Sequence, residues 1–170
     1  MSRVMSSLGV VIAILATANV VQAQPPEPRR IVGTRTSGHF EMQGAAQNIV
    51  HYATLTFSDD TGAPAFTIDF VAQYQRMRPA SPPRVVDIVI TQLLPNDERP
   101  EMTMQVDGQV LPLVPRLRGR RSVVASMPFE DFVKLANAEA IVELAFDTEL
   151  EFGAGQLRML RSVAQRWAAR

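Results

Sequence analysis

Apolar and polar residues alternate with a period of two over much of this chain. In AFTIDFVAQYQ (65–75), every second position from Phe66 to Tyr74 is apolar or aromatic, and most positions between them are polar. NIVHYATLTF (48–57) repeats the pattern, and RVVDIVITQLL (84–94) is apolar on both sides. Alternation is typical of strands with one buried face, and a two-sided apolar run indicates a central strand. The chain is therefore predicted to be rich in β-structure.

A β-hairpin is predicted in EMTMQVDGQVLPL (101–113). Two alternating runs meet at Asp107-Gly108, a dipeptide that favours positive φ at both central positions of a two-residue turn. SVVASM (122–127) is predicted to be another strand. AIVELAF and ELEF, within residues 140–152, are predicted to be two strands around Asp147-Thr148.

Two helices are predicted late in the chain. In PFEDFVKLANA (128–138) one apolar stripe recurs at helical spacing: Phe129, Phe132, Val133 and Ala136. The closing segment, roughly Ala154 to Ala169, has an apolar side made of Leu157, Leu160, Ala164 and Trp167. The predicted fold class is α+β, with one mostly antiparallel sheet or sandwich of about seven or eight strands and two helices near the C-terminus.

The C-terminal half also has a recognisable order of motifs. A hairpin (VDGQV), a strand running into PFEDFVKLANAEAIVELAF, a short ELEF strand and a closing amphipathic helix follow one another over about residues 101–168. This order resembles small exported bacterial proteins of unknown function. The resemblance implies an exported β-rich domain with a C-terminal amphipathic helix, and it brings no catalytic residues.

The first 23 residues have the features of a signal peptide. Arg3 precedes an apolar run of 14 residues, Leu8 to Val21, and Val21-Gln22-Ala23 fits a signal-peptidase site. Cleavage after Ala23 would leave a Pro-rich tether at residues 24–36 and a single β-rich domain at residues 37–170, in a periplasmic or secreted protein. An uncleaved N-terminal anchor is the alternative.

Amino-acid content excludes several classes of site. The chain has no cysteine, which excludes disulfides, thiolate metal ligands and cysteine nucleophiles. Loss of Arg3 with the signal peptide would leave 16 basic and 17 acidic residues, whereas a dedicated nucleic-acid binder needs a basic excess. Because metal-ligand patterns and glycine-rich cofactor motifs are missing from the sequence, no cofactor and no metal are predicted.

Asp60-Thr61-Gly62 is the motif that looks most like chemistry. It resembles the catalytic turn of aspartic proteases, which need two such carboxylates sharing a proton. The motif occurs once here and follows the hydrophilic residues Ser58 and Asp59. Ser, Asp, Gly and Pro are also turn formers, so a turn between two strands explains the same residues. We expect the turn and no catalytic residue.

Only two histidines are present, His39 and His51. His51 shares a predicted strand face with apolar residues, which favours a buried structural histidine over a catalytic one. Asp69 and Asp87 lie mid-strand and are the acids that could orient it across a sheet. A hydrolase that uses Asp60, or His51 with a carboxylate, is therefore the alternative function.

Four arginines crowd one predicted loop, namely Arg116, Arg118, Arg120 and Arg121. Guanidinium groups bind phosphates and carboxylates through paired hydrogen bonds, so this loop could bind lipid phosphates or acidic glycans. A solvated loop balanced by acids such as Glu143, Glu149 and Glu151 is the other interpretation.

The leading functional prediction is an exported, non-enzymatic β-rich module. It is expected to bind a protein partner or an envelope component, with no nucleic-acid partner and no stable membrane span after cleavage.

Overall fold

The computed structural model describes residues 28–33, 35–43, 48–75, 81–93 and 101–169. These residues form eleven strands and two helices, which confirms the α+β class with both helices near the C-terminus. The strands are β1 Arg29–Val32, β2 Arg35–Gln43, β3 Asn48–Ser58, β4 Pro64–Gln75, β5 Val85–Gln92, β6 Met102–Val106, β7 Gln109–Val110, β8 Arg116–Leu117, β9 Ser122–Pro128, β10 Ile141–Ala145 and β11 Thr148–Glu151. The helices are α1 Phe129–Ala136 and α2 Ala154–Ala168.

The strands form two sheets. The larger sheet has the order β2-β3-β4-β5-β9-β8, and all its neighbouring strands are antiparallel. The smaller sheet has the order β1-β11-β10-β6-β7 and is antiparallel except for the parallel pair of β1 and β11. The predicted strands were fewer because no separate strand was predicted at β1, β2 or the two-residue β8.

One apolar core receives side chains from both sheets and both helices. Helix α1 packs on β5 and β9, while α2 packs near β2 and β3. Phe132 joins the larger sheet to both helices, because its ring centroid lies 5.4 Å from that of Phe70 and 5.1 Å from that of Trp167. Contacts of Phe57 with Phe152, and of Phe66 with Phe146, connect the larger sheet to residues that flank β11.

Part of the predicted tether is a strand. Residues 29–32 form β1, which pairs with β11 in register from Arg29↔Thr148 to Val32↔Glu151. The backbone N–H of Gly33 then donates to the carbonyl of Glu151 at 2.7 Å. The sequence does not predict this strand, because prolines precede it and its partner strand lies more than 100 residues later in the chain. Residues 1–27, which contain the predicted signal peptide and the start of the tether, lie outside the described residues.

One of the two hairpin turns lies at the predicted residues, and the other is shifted by one residue. Asp107 and Gly108 form the predicted turn, with φ values of 50° and 79°, and β6 pairs with β7 around them. The turn between β10 and β11 lies one residue earlier than predicted, at Phe146 and Asp147, whose φ values are 51° and 55°. Positive φ is unusual for a bulky residue, and here the Phe146 side chain is completely buried against Phe66. Tertiary packing therefore sets the position of this turn.

Two glycines allow β1 to approach the start of α2. A Cβ atom on Gly153 would lie 2.1 Å from the carbonyl oxygen of Gly33, and a Cβ on Gly33 would overlap the Gln156 side chain. The buried Gln156 amide accepts a hydrogen bond from the Gly153 N–H at 3.2 Å and donates one to the carbonyl of Thr56 at 3.3 Å. The junction thus links β1, β3 and α2 through close backbone contact.

Gly153→Ala is expected to destabilise the protein. The new methyl group meets backbone that cannot rotate away, so overpacking should lower the free energy of unfolding by about 1–3 kcal/mol. Gly155→Ala is the matched control, because a Cβ there meets only the end of the Arg158 side chain at 4.0 Å. The control should raise stability slightly, by less than about 1 kcal/mol, since alanine favours helix. Urea denaturation of both variants measures this, and equal midpoints would contradict the close approach.

Candidate anion-binding surface

The Asp60-Thr61-Gly62 segment is the turn between β3 and β4. The residue that organises it is Asp59, whose Oδ1 accepts hydrogen bonds from the Thr61 N–H at 2.9 Å, the Thr61 hydroxyl at 2.6 Å and the Ala63 N–H at 3.1 Å. The Thr61 hydroxyl is the main cause that lowers the pKa of Asp59. Gly62 supplies the positive φ of 82° that closes the turn. The donors of Thr61, Gly62 and Ala63 therefore serve the turn itself.

Asp60 has the surroundings of a surface residue. Its side chain is 91% exposed, and its nearest cation is the Arg29 guanidinium, 3.6 Å away. An aspartic protease requires a buried turn with a second carboxylate close by. Asp60 instead lies on an exposed turn. The shallow cavity beside the turn, about 420 Å³ in volume, is lined by Arg30, Ile31 and Val32 of β1 together with turn residues. Of its charged groups, Arg30 pairs with Glu151 and Asp60 lies near Arg29. Asp59 accepts the hydrogen bonds of the turn.

Asp60→Asn is expected to change the free energy of unfolding by no more than about 0.5 kcal/mol, as is usual for an exposed side chain. Asp59→Ala should lower the urea midpoint clearly more, because it removes the acceptor of three hydrogen bonds in the turn. Comparing the two urea midpoints tests which aspartate stabilises the turn. A larger fall in the midpoint of Asp60→Asn would contradict the role assigned to Asp59.

His51 is a core residue. Its side chain is completely buried, and its ring lies edge-on to Tyr74 with centroids 4.9 Å apart. Ser58 lies seven positions after His51 in β3, which is about 23 Å along a strand, so His51 and Asp60 cannot share a site. His39 lies in β2, where the structure describes the backbone alone.

The two mid-strand aspartates face away from His51. Asp69 and Asp87 lie on the outer face of the larger sheet, opposite to the buried face that carries His51. Asp69 accepts a hydrogen bond from the Thr54 hydroxyl at 2.5 Å, and Asp87 accepts one from the Ser126 hydroxyl at 2.6 Å. Neither aspartate orients His51, an arrangement that the sequence allowed, because strand alternation puts the groups on different faces.

The four arginines lie on the hairpin formed by β8 and β9. Register pairs Arg116 with Val124 and Leu117 with Val123. The Arg118 N–H donates to the carbonyl of Ser122 at 2.8 Å, so the tip consists of Gly119, Arg120 and Arg121. Gly119 has a φ of 84°, which suits glycine at such a tip. We call residues 116–121 the arginine loop; every residue in it is exposed.

The arginine loop is fixed to the body of the protein at both ends. Before it, Leu111 and Leu113 pack against the core, and the Leu111 N–H donates to the carbonyl of Met104 at 2.8 Å. After it, the Gln92 N–H donates to the carbonyl of Arg121 at 2.8 Å. The loop therefore holds its arginines on a defined backbone.

The acids expected to balance the loop are engaged elsewhere. Glu151 accepts a hydrogen bond from the Arg30 Nε at 2.8 Å. This bond, with a smaller contribution from the nearby Glu149, raises the pKa of Arg30. Glu143 is buried. Among the residues that the structure describes, no carboxylate forms an ion pair with any of the four guanidinium groups in the arginine loop.

Glu143 is a buried acid whose position the sequence analysis missed. It lies in β10 opposite Met104 of β6 and Leu150 of β11, and all three side chains are completely buried. No described residue gives either carboxyl oxygen a hydrogen bond of normal geometry. Burial raises the pKa of Glu143 well above its usual value, and the Thr103 backbone opposes this rise only in part. Alternation with Ile141 and Ala145 in the sequence was the signal that could have located it.

Neither a metal site nor a membrane span is found in the described part of the chain. There, no three histidine or acidic side chains cluster in a way that could hold a metal ion. Neither described helix has the length and apolar character needed to cross a bilayer. Comparisons of the chain with protein-family models, curated proteins and solved structures find no match.

Proposed function

We propose that this chain is an exported, non-enzymatic β-rich module that binds an anionic component of the cell envelope through the arginine loop. One observation carries the proposal. Four exposed arginines within six residues stand on a fixed hairpin, and no carboxylate of the described residues pairs with them. Guanidinium groups in this state are free to form paired hydrogen bonds with phosphates or carboxylates.

Charge repulsion within the arginine loop favours anion binding over simple solvation. Four like charges at one hairpin repel one another, and an anionic ligand relieves that repulsion. The chain as a whole is close to neutral, so its positive charge is local, and the ligand is expected to be a local array of anions rather than a long nucleic acid. Fixed ends lower the cost of ordering the loop on binding.

The test is binding of the purified protein to inorganic polyphosphate, measured by calorimetry. The double variant Arg118→Glu/Arg120→Glu should bind at least about ten-fold more weakly, because two attractive charges become repulsive. Arg158→Glu on α2 is the matched control, since Arg158 is an exposed arginine outside the loop, and it should bind much as the wild type does. Binding should also weaken as salt is added.

Two results would contradict the proposal. One is the absence of polyphosphate binding by the wild-type protein at low salt. The other is an equal loss of affinity in the loop variant and the Arg158 control, since that would assign binding to overall charge. Circular dichroism of each variant confirms that the fold is retained.

A further inference from the structure

We propose that the anionic component is a lipid surface, on which the arginine loop contacts headgroup phosphates while neighbouring apolar side chains enter the interface. This inference rests on the proposed function and narrows it to one kind of ligand. Exposed apolar side chains outside the core lie in and beside the arginine loop.

Three exposed large apolar side chains lie within or beside the arginine loop. Leu117 lies within it and is 67% exposed, and Val114, two residues before Arg116, is 74% exposed. Leu93 is 40% exposed and follows Gln92, whose N–H donates to the Arg121 carbonyl. Apolar side chains next to exposed arginines are a combination that suits the boundary between headgroups and acyl chains.

A soluble acidic glycan matches only half of this surface. Its carboxylates or phosphates can pair with the arginines, but it has little apolar surface to cover the leucines and the valine. An anionic bilayer matches both halves, and each Arg near such a leaflet raises partitioning by about five-fold. The fixed ends of the loop hold its backbone in place, so binding requires little rearrangement.

The experiment is co-sedimentation of the full chain with two kinds of vesicle, one of phosphatidylcholine alone and one of phosphatidylcholine mixed with phosphatidylglycerol. We expect the protein to bind the mixed vesicles and not the neutral ones. Arg118→Glu/Arg120→Glu should lower partitioning by more than about twenty-five-fold, from two charges at about five-fold each.

The apolar side chains outside the arginine loop are tested with Leu93→Ser/Val114→Ser. This variant should lower partitioning to mixed vesicles by roughly ten-fold, while its affinity for inorganic polyphosphate stays unchanged. Val85→Ser is the matched control, because Val85 is an exposed valine at the far end of β5 from Gln92, and it should partition as the wild type does.

The outcomes separate this inference from the proposed function. Binding to polyphosphate without binding to mixed vesicles would overturn the lipid proposal and leave anion binding intact. An unchanged partitioning of Leu93→Ser/Val114→Ser would overturn it too, because the apolar side chains would then have no role. Equal binding to neutral and mixed vesicles contradicts a role for the arginines. If neither polyphosphate nor vesicles bind, the proposed function is also wrong.

Discussion

Trp167→Ala is expected to lower the free energy of unfolding by about 3–5 kcal/mol, the usual cost of deleting a fully buried aromatic side chain. Trp167 is completely buried although it lies in the last turn of α2. Its ring centroid lies 5.1 Å from that of Phe132, which in turn contacts Phe70 of the larger sheet. Its loss would therefore leave a cavity where α1, α2 and the sheet meet.

Urea denaturation, followed by circular dichroism, measures this loss. Arg158→Ala is the control on the same helix, and it should move the midpoint little because Arg158 is exposed. Trp167→Phe keeps part of the contact and should lose less, which keeps the prediction testable if the alanine variant fails to fold. Trp167 is also the only tryptophan, so its fluorescence should be that of a buried indole. Emission like that of free tryptophan, with an unmoved midpoint, would mean that α2 is not docked.

Glu143→Gln is expected to change how stability depends on pH. The raised pKa of Glu143 means that the folded protein keeps a proton that the unfolded chain releases near pH 4.5. The folded state then binds more protons, so the free energy of unfolding falls as pH rises from about 4.5 toward the folded-state pKa. The slope from this one group is about 1.4 kcal/mol for each pH unit. Glutamine has nearly the same shape and cannot ionise, so the variant lacks that slope.

The measurement is urea denaturation of wild type and Glu143→Gln at a series of pH values from 4 to 8. The stability of the variant relative to wild type should rise with pH above about 4.5, the unfolded-state pKa. Glu149→Gln is the control, since Glu149 lies on the other face of the same sheet and this variant retains Glu143 and its slope. Parallel pH curves for Glu143→Gln and wild type would contradict a neutral, buried Glu143.

The sequence predicted the elements that depend on interactions between residues close together in the chain. Asp107-Gly108 forms the predicted turn because its residues accept positive φ. The alternation in β3 and β4 located buried faces correctly, from Ala53 to Phe57 and from Phe66 to Ala72. The apolar side of α2 is buried as its spacing predicts.

What the sequence did not predict depends on contacts between distant parts of the chain. Strand β1 forms because it pairs in parallel with β11. Its four residues alone do not indicate a partner so far away in the chain. The close approach of Gly33 and Gly153 is likewise visible only when the two segments meet. Glu143 was assigned to the surface because charged residues are seldom buried, although its alternation pointed inward.

The candidate site was only partly predictable, because it too depends on contacts between distant parts of the chain. The arginine loop could be recognised from composition, because four arginines lie within six residues. Whether nearby acids neutralise them could not be read from sequence, since Glu151 is paired with Arg30 through the contact of β1 with β11. The turn at Asp60 was predicted, whereas the role of Asp59 depends on the conformation of the turn.

Anion binding by the arginine loop is tested most directly by the amide NMR spectrum of the protein during titration with inorganic polyphosphate. We predict that the largest shifts occur at residues 116–121 and at Gln92 and Ser122, whose backbones are hydrogen-bonded to the loop. Amides around the exposed Arg158 and Arg166 of α2 should move little. Shifts centred on α2, or no shifts in the loop at saturating polyphosphate, would contradict the assignment of this surface.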